Sequence, residues 1–146
     1  MLHACRYETG LGHYCGPTAI AMLTGCSYRE ARDAIARFNG QRNVTGTSKI
    51  DVQFALLHFG FDMRLFLGFD GPLWAVQRPT LASMLRTRTP AQRSQAWLVQ
   101  AGQHWVVVQG KKGGCSLTGG KPVWTGEMQR RRARVHAIYV VTRRTA

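Results

Sequence analysis

The strongest constraint on this chain is the stretch His13-Tyr14-Cys15-Gly16-Pro17-Thr18-Ala19-Ile20-Ala21-Met22-Leu23-Thr24-Gly25. A thiol stands immediately before a Gly-Pro step, and an apolar, helix-forming run follows. Proline fits the first turn of a helix, where its missing N–H has no partner to lose. Ala19, Ile20, Met22 and Leu23 then supply a buried face, and Gly25 is a C-terminal stop. The pattern predicts a buried helix with Cys15 at its positive end, where a thiol pKa falls.

A thiolate needs a base. Gln103-His104-Trp105-Val106-Val107-Val108 sets a histidine at the mouth of a very apolar strand, directly after an Ala101-Gly102 turn. A cysteine at a helix start and a histidine at the start of a later strand resemble the papain-like cysteine peptidases. The likeness is strongest to the short, bacteriocin-processing C39-type branch, whose site joins a Cys-Gly-Pro helix to a His-Trp or His-Phe strand. It runs from about Arg6 to the final strand. The resemblance implies an α+β fold in which the Cys helix packs on a C-terminal antiparallel sheet. It also implies Cys15 as nucleophile and His104 as general base, with a covalent acyl-enzyme and no cofactor.

Two departures from that family pattern stand out. The family places an Asp or Asn on the strand after the histidine, to orient the ring. After His104 this chain has neither, and Glu127 is its single carboxylate side chain. Aligning the hairpins puts Ser116 at the orienting position. The family also places a Gln or similar oxyanion donor shortly before the cysteine. Here that neighbourhood reads Tyr7-Glu8-Thr9-Gly10, and Thr9 is the nearest neutral donor, beside the backbone N–H of Cys15.

At 146 residues the chain suits one domain, 1–146, with a helical part over about 14–90 and a sheet over about 95–143. No apolar run approaches the roughly 18 residues of a membrane span, and no signal peptide is visible. Four irregularly spaced cysteines point to a reducing compartment, so the expected location is cytoplasmic or virion-associated. His3-Ala4-Cys5 and His13-Tyr14-Cys15 repeat a His-x-Cys pattern, but without Cys-x-x-Cys spacing no metal is expected.

The net charge is +13, from 20 Lys and Arg against 7 Asp and Glu. Arginine is densest at Arg130, Arg131, Arg132 and Arg134. Such a field favours anionic partners: nucleic acid, an acidic protein surface or a phosphate-rich particle interior. The plainer alternative is a solvated surface reflecting codon bias.

In chain order, Ser27-Tyr28-Arg29-Glu30 is a capping box that opens a second helix closed by Asn39-Gly40. Ser48-Lys49-Ile50-Asp51 opens a third, with His58 as a surface residue near its end. Phe61 to Leu67 reads as a strand, and a short helix begins near Thr80. Thr87 to Ser94, broken by Pro90, reads as a surface connection. Ala96–Gln100 and His104–Gln109 form a hairpin, Lys111 to Gly114 a turn, and Cys115 to Thr118 a short strand. The last strand runs roughly from Ala133 to Val141, with Ala133, Val135, Ala137, Tyr139 and Val141 on one face.

The function expected from these residues is a papain-like cysteine peptidase that cleaves peptide or isopeptide bonds. The alternative keeps the fold without efficient catalysis, as a structural or interaction protein such as a tailed-phage virion component. Nucleic-acid binding through the basic surface is compatible with either.

Overall fold

The computed structural model of the chain describes residues 1–8, 10–40, 46–69 and 77–144. Three helices come first: α1 (Cys15–Thr24), α2 (Tyr28–Asn39) and α3 (Lys49–His58). The strand β1 (Phe61–Gly68) precedes two short helices, α4 (Leu81–Arg86) and α5 (Pro90–Ser94). The sheet is completed by β2 (Ala96–Ala101), β3 (His104–Gln109), β4 (Lys112–Gly114), β5 (Val123–Trp124) and β6 (Val135–Arg143).

Local chemistry accounts for these boundaries. Ser27 and Ser48 each accept a hydrogen bond from the backbone N–H three residues on, and Glu30 and Asp51 return the bond. Gly25 and Gly40 end α1 and α2 in the left-handed conformation that favours glycine. Gly102, at φ 60°, turns the β2–β3 hairpin, in which Ala101 pairs with His104.

The six strands form one antiparallel sheet in the order β1-β6-β2-β3-β4-β5. The last strand therefore lies inside the sheet, between β1 and β2. Both faces are covered. On one, Leu98, Trp105, Val107, Ala137, Tyr139 and Val141 join the apolar residues of α1, α2 and α3. On the other, Trp97, Val99, Val106, Val108, Ile138 and Val140 pack with Leu81, Leu85 and Met128. This double burial explains why Val106-Val107-Val108 shows no alternation.

Four local readings need correction. Gly113 and Gly114 belong to strand β4 rather than a turn; the reversal lies at Gly110, φ 62°, and Lys111. A Cβ on Gly113 would meet Met128 Sδ at 2.6 Å and the Val107 carbonyl at 2.8 Å. On Gly114 it would meet Met22 Cε at 2.5 Å and the Lys121 carbonyl at 2.8 Å. These glycines are present because both faces of the strand are crowded.

Cys115 to Thr118 is likewise not a strand. The Thr118 hydroxyl takes the Cys115 N–H at 3.2 Å and folds Ser116–Thr118 into a 3-10 turn. Pro90 opens α5 rather than breaking the chain: it occupies the first turn, with Thr89 and Gln92 as a capping box. Just before it, Arg88 is buried, its Nε bonded to the Leu85 carbonyl and its guanidinium 5.9 Å from the Trp97 ring centroid.

The last strand starts at Val135, and its residues do not share one face. Gln100 pairs with Ala137, but Ala101 pairs with Val135, which leaves His136 as an extra residue. The bulge reverses the alternation, so Val135 and Ala133 join the α4 side while Ala137, Tyr139 and Val141 join the other.

Candidate active site

Cys15 is the first residue of α1 and is half-buried, whereas Cys5, Cys26 and Cys115 are buried. The residue before the helix, Tyr14, offers no side-chain cap, and the first turn carries no acidic residue. Pro17 has no N–H. The positive end of α1 is thus left to whatever enters beside Cys15.

The segment leading to Cys15 is held by tyrosines. The Tyr14 N–H donates to the Tyr28 hydroxyl at 2.9 Å, and the hydroxyls of Tyr7 and Thr18 are hydrogen-bonded at 2.8 Å. Tyr7 also stacks on His13, with ring centroids 3.9 Å apart.

His104 is the first residue of β3, and β3 packs against α1. Cys15 and His104 line one cavity of about 410 Å³, together with Thr47, Gln100, Gly102 and His136. Trp105 fixes this juxtaposition: its Nε1–H donates to the Thr47 carbonyl at 2.9 Å. The Thr47 side chain in turn sits so close to Gly16 that a Cβ there would overlap its Oγ1.

Electrostatics favour a neutral imidazole. Burial lowers the His104 pKa below its ordinary value, and the positive charge of Arg130 lowers it further. A pre-ionised thiolate–imidazolium pair, attractive on sequence grounds, is therefore disfavoured from the histidine side. The thiols of Cys5, Cys26 and Cys115 are pushed up. Burial raises all three, Cys5 to about 11.

The ring also lacks an anchor. His104 Nε2 is shut from solvent and has no hydrogen-bond partner among the described residues. Ser116 opens the 3-10 turn beyond β4, and its hydroxyl makes no bond to that nitrogen. Thr9, the oxyanion donor read from sequence, lies outside the described residues. Arg130, Arg131 and Arg132 line a separate cavity, and Arg134 bonds the Arg78 carbonyl at 2.9 Å.

Two cavity residues escaped sequence reasoning. His136 reaches the site through the β6 bulge, and its Nδ1 is bonded to Arg78. Gln100 lines the cavity shared by Cys15 and His104 and also an adjoining one of about 380 Å³ that contains Lys49, Leu65 and Tyr139. Nothing short-range marks either residue; a bulge depends on pairing between strands far apart in sequence. Among the described residues no helix is long and apolar enough to cross a membrane.

No family model matches the chain, and no curated protein matches its sequence. One solved structure does match: a double glycine motif protease from an AMS/PCAT transporter, in complex with the leader peptide. The TM-score is 0.53 over 97% of this chain and 93% of that one, at 11% identity. The likeness establishes the fold. The chain shares the mixed helix and antiparallel-sheet architecture of that protease.

Proposed function

We propose that this protein is a cysteine peptidase acting on a peptide through Cys15 and His104. The observation that carries the reading is their meeting in one cavity, the thiol at an uncapped helix start and the imidazole at the mouth of β3. The fold it shares with a peptidase solved with a leader peptide supports a peptide as substrate. The double glycine motif named for that protease makes a Gly-Gly step on the acyl side of the scissile bond the first sequence to test.

Because His104 is held neutral, it acts first as a base. It takes the Cys15 proton as the sulfur attacks the carbonyl carbon, and the carbonyl π electrons move to oxygen. The N–H groups of Cys15 and Gly16, free of any side-chain cap, face that developing oxyanion. As the C–N bond breaks, the imidazolium returns its proton to the leaving amine. Water, deprotonated by the same ring, then hydrolyses the thioester. Arg130 opposes the transient imidazolium, which makes proton return to the amine more favourable.

The bare His104 Nε2 favours a second reading, in which the fold persists and turnover is lost. One experiment separates the two. Incubation with a library of Gly-Gly-containing peptides should give a Cys15 thioester detectable by mass spectrometry, together with amine product. Both should vanish in Cys15→Ala. A thioester with amine released only once per protein and no further turnover, or neither species, would support the second reading.

A further inference from the structure

Beyond the reaction cavity, α4 and the segment before β6 border an open basin of about 700 Å³. It is lined by Arg86, Arg130, Arg131 and Arg132, with Met128 and Gln129 between them. The backbone builds it. The Ala82 N–H bonds the Arg131 carbonyl at 2.8 Å, and the Leu81 N–H bonds that of Ala133 at 2.9 Å. Among the described residues, no carboxylate pairs with any of the four arginines. Glu127, exposed and close in sequence, does not line the cavity. Arg131 Nε is buried and has no hydrogen-bond partner among the described residues, a donor that an incoming acceptor would satisfy.

This basin adjoins the reaction cavity. A Cβ on Gly102, which lines the reaction cavity, would lie 3.8 Å from Arg130 Nη1. Resting on the peptidase reading above, we infer that the arginine basin is a substrate subsite for an acidic stretch of the peptide flanking the scissile bond. Guanidinium groups bind carboxylates in a two-pronged geometry that a lysine cannot reproduce. The observations favour a peptide over nucleic acid. The described residues lining the basin include no aromatic on which a base could stack. The basin also lies directly beside the cavity that holds Cys15 and His104. An acidic residue there would partly neutralise Arg130 and ease protonation of His104 as it takes the Cys15 proton.

The test uses the full chain as Cys15→Ala, which cannot turn over. The probes are two fluorescent peptides with the same Gly-Gly step, one flanked by glutamates and the other by glutamines. Anisotropy should show the glutamate peptide binding about tenfold tighter at low salt, an advantage that screening erodes as salt rises. Arg86→Gln and Arg132→Gln, both at exposed positions, should each remove part of it. Equal affinity for the two peptides would overturn the subsite. So would a single-stranded oligonucleotide that displaces the glutamate peptide and binds more tightly through the same arginines. The catalytic protein separates the two claims. Equal kcat/KM on both peptides defeats the subsite and leaves the peptidase standing. Arginine-dependent binding of the glutamate peptide with no cleavage defeats the peptidase and leaves an acidic-peptide site.

Discussion

Trp105 donates its indole N–H to the Thr47 carbonyl at 2.9 Å, and Thr47 lies directly over Gly16. One chain of contacts thus runs from the residue after His104 to the residue after Cys15. Neither Cys15 nor His104 has to find the other. Their sequence neighbours are clamped together through a third segment.

Replacing Gly16 tests the clamp. In an ordinary helix, Gly→Ala gains up to about 1 kcal/mol. Here the new methyl would overlap Thr47 Oγ1, Cβ and Cγ2, and overpacking costs roughly 1–3 kcal/mol. The clash should win. Gly16→Ala is expected to lower the midpoint of urea unfolding, and adding Thr47→Gly should recover much of it. A Gly16→Ala protein as stable as the parent would mean that Thr47 moves aside freely.

The thiols give the second prediction. Cys15 alone is half-buried, and burial holds the other three protonated. Iodoacetamide at neutral pH should therefore modify Cys15 first in the folded protein, read by peptide mass mapping. His104→Ala should slow that reaction, because the base that accepts the thiol proton is gone. Uniform labelling of all four cysteines, indifferent to His104→Ala, would sink the enzyme reading.

What the sequence reveals of the fold is what short-range chemistry dictates. The capping boxes at Ser27 and Ser48, the glycine stops and the Ala101–His104 hairpin are each written within a few residues. Cys15 and His104 announce themselves because each needs a particular element start. The failures have a common cause. Gly113-Gly114 looks like turn chemistry, yet the glycines answer to Met22, Met128 and two distant carbonyls. The faces of Val135 and Ala133 depend on a bulge against β2, and Arg88 is hidden because Trp97 comes to cover it. Thr89-Pro90-Ala91-Gln92 is different: its capping box is written locally, and the proline sits in the first helical turn, where its missing N–H costs nothing.

The glycine pair yields a third prediction. On each residue a Cβ would approach a backbone carbonyl at 2.8 Å, which no rotamer change relieves. Gly113→Ala and Gly114→Ala should each cost roughly 1–3 kcal/mol by denaturant unfolding, although alanine reduces the freedom of the unfolded chain. Gly110→Ala should also destabilise, through its positive φ alone, without altering packing against Met22 or Met128. Spectra of methyl-labelled methionine distinguish the two effects. The Met22 signal should move in Gly114→Ala and stay in place in Gly110→Ala.

The last prediction concerns protons on His104. Burial first and Arg130 second depress its folded pKa below the value of about 6.5 expected in an unfolded chain. As pH falls through about 6.5 the unfolded state takes up the proton before the folded one, so stability declines from that point downward. Above it the contribution is fully present. His136, depressed by burial and by Arg78, adds in the same direction. Arg130→Gln removes one of the two causes at His104, so its ring titration, followed by NMR, should move upward but remain below the ordinary value. The acid limb of kcat/KM, which reports the free base, should shift upward with it. His104→Gln should flatten part of the stability loss on the acid side, leaving the share owed to His136. If Arg130→Gln leaves both the ring titration and the acid limb unchanged, Arg130 does not act on His104. The neutral imidazole would then be the work of burial alone.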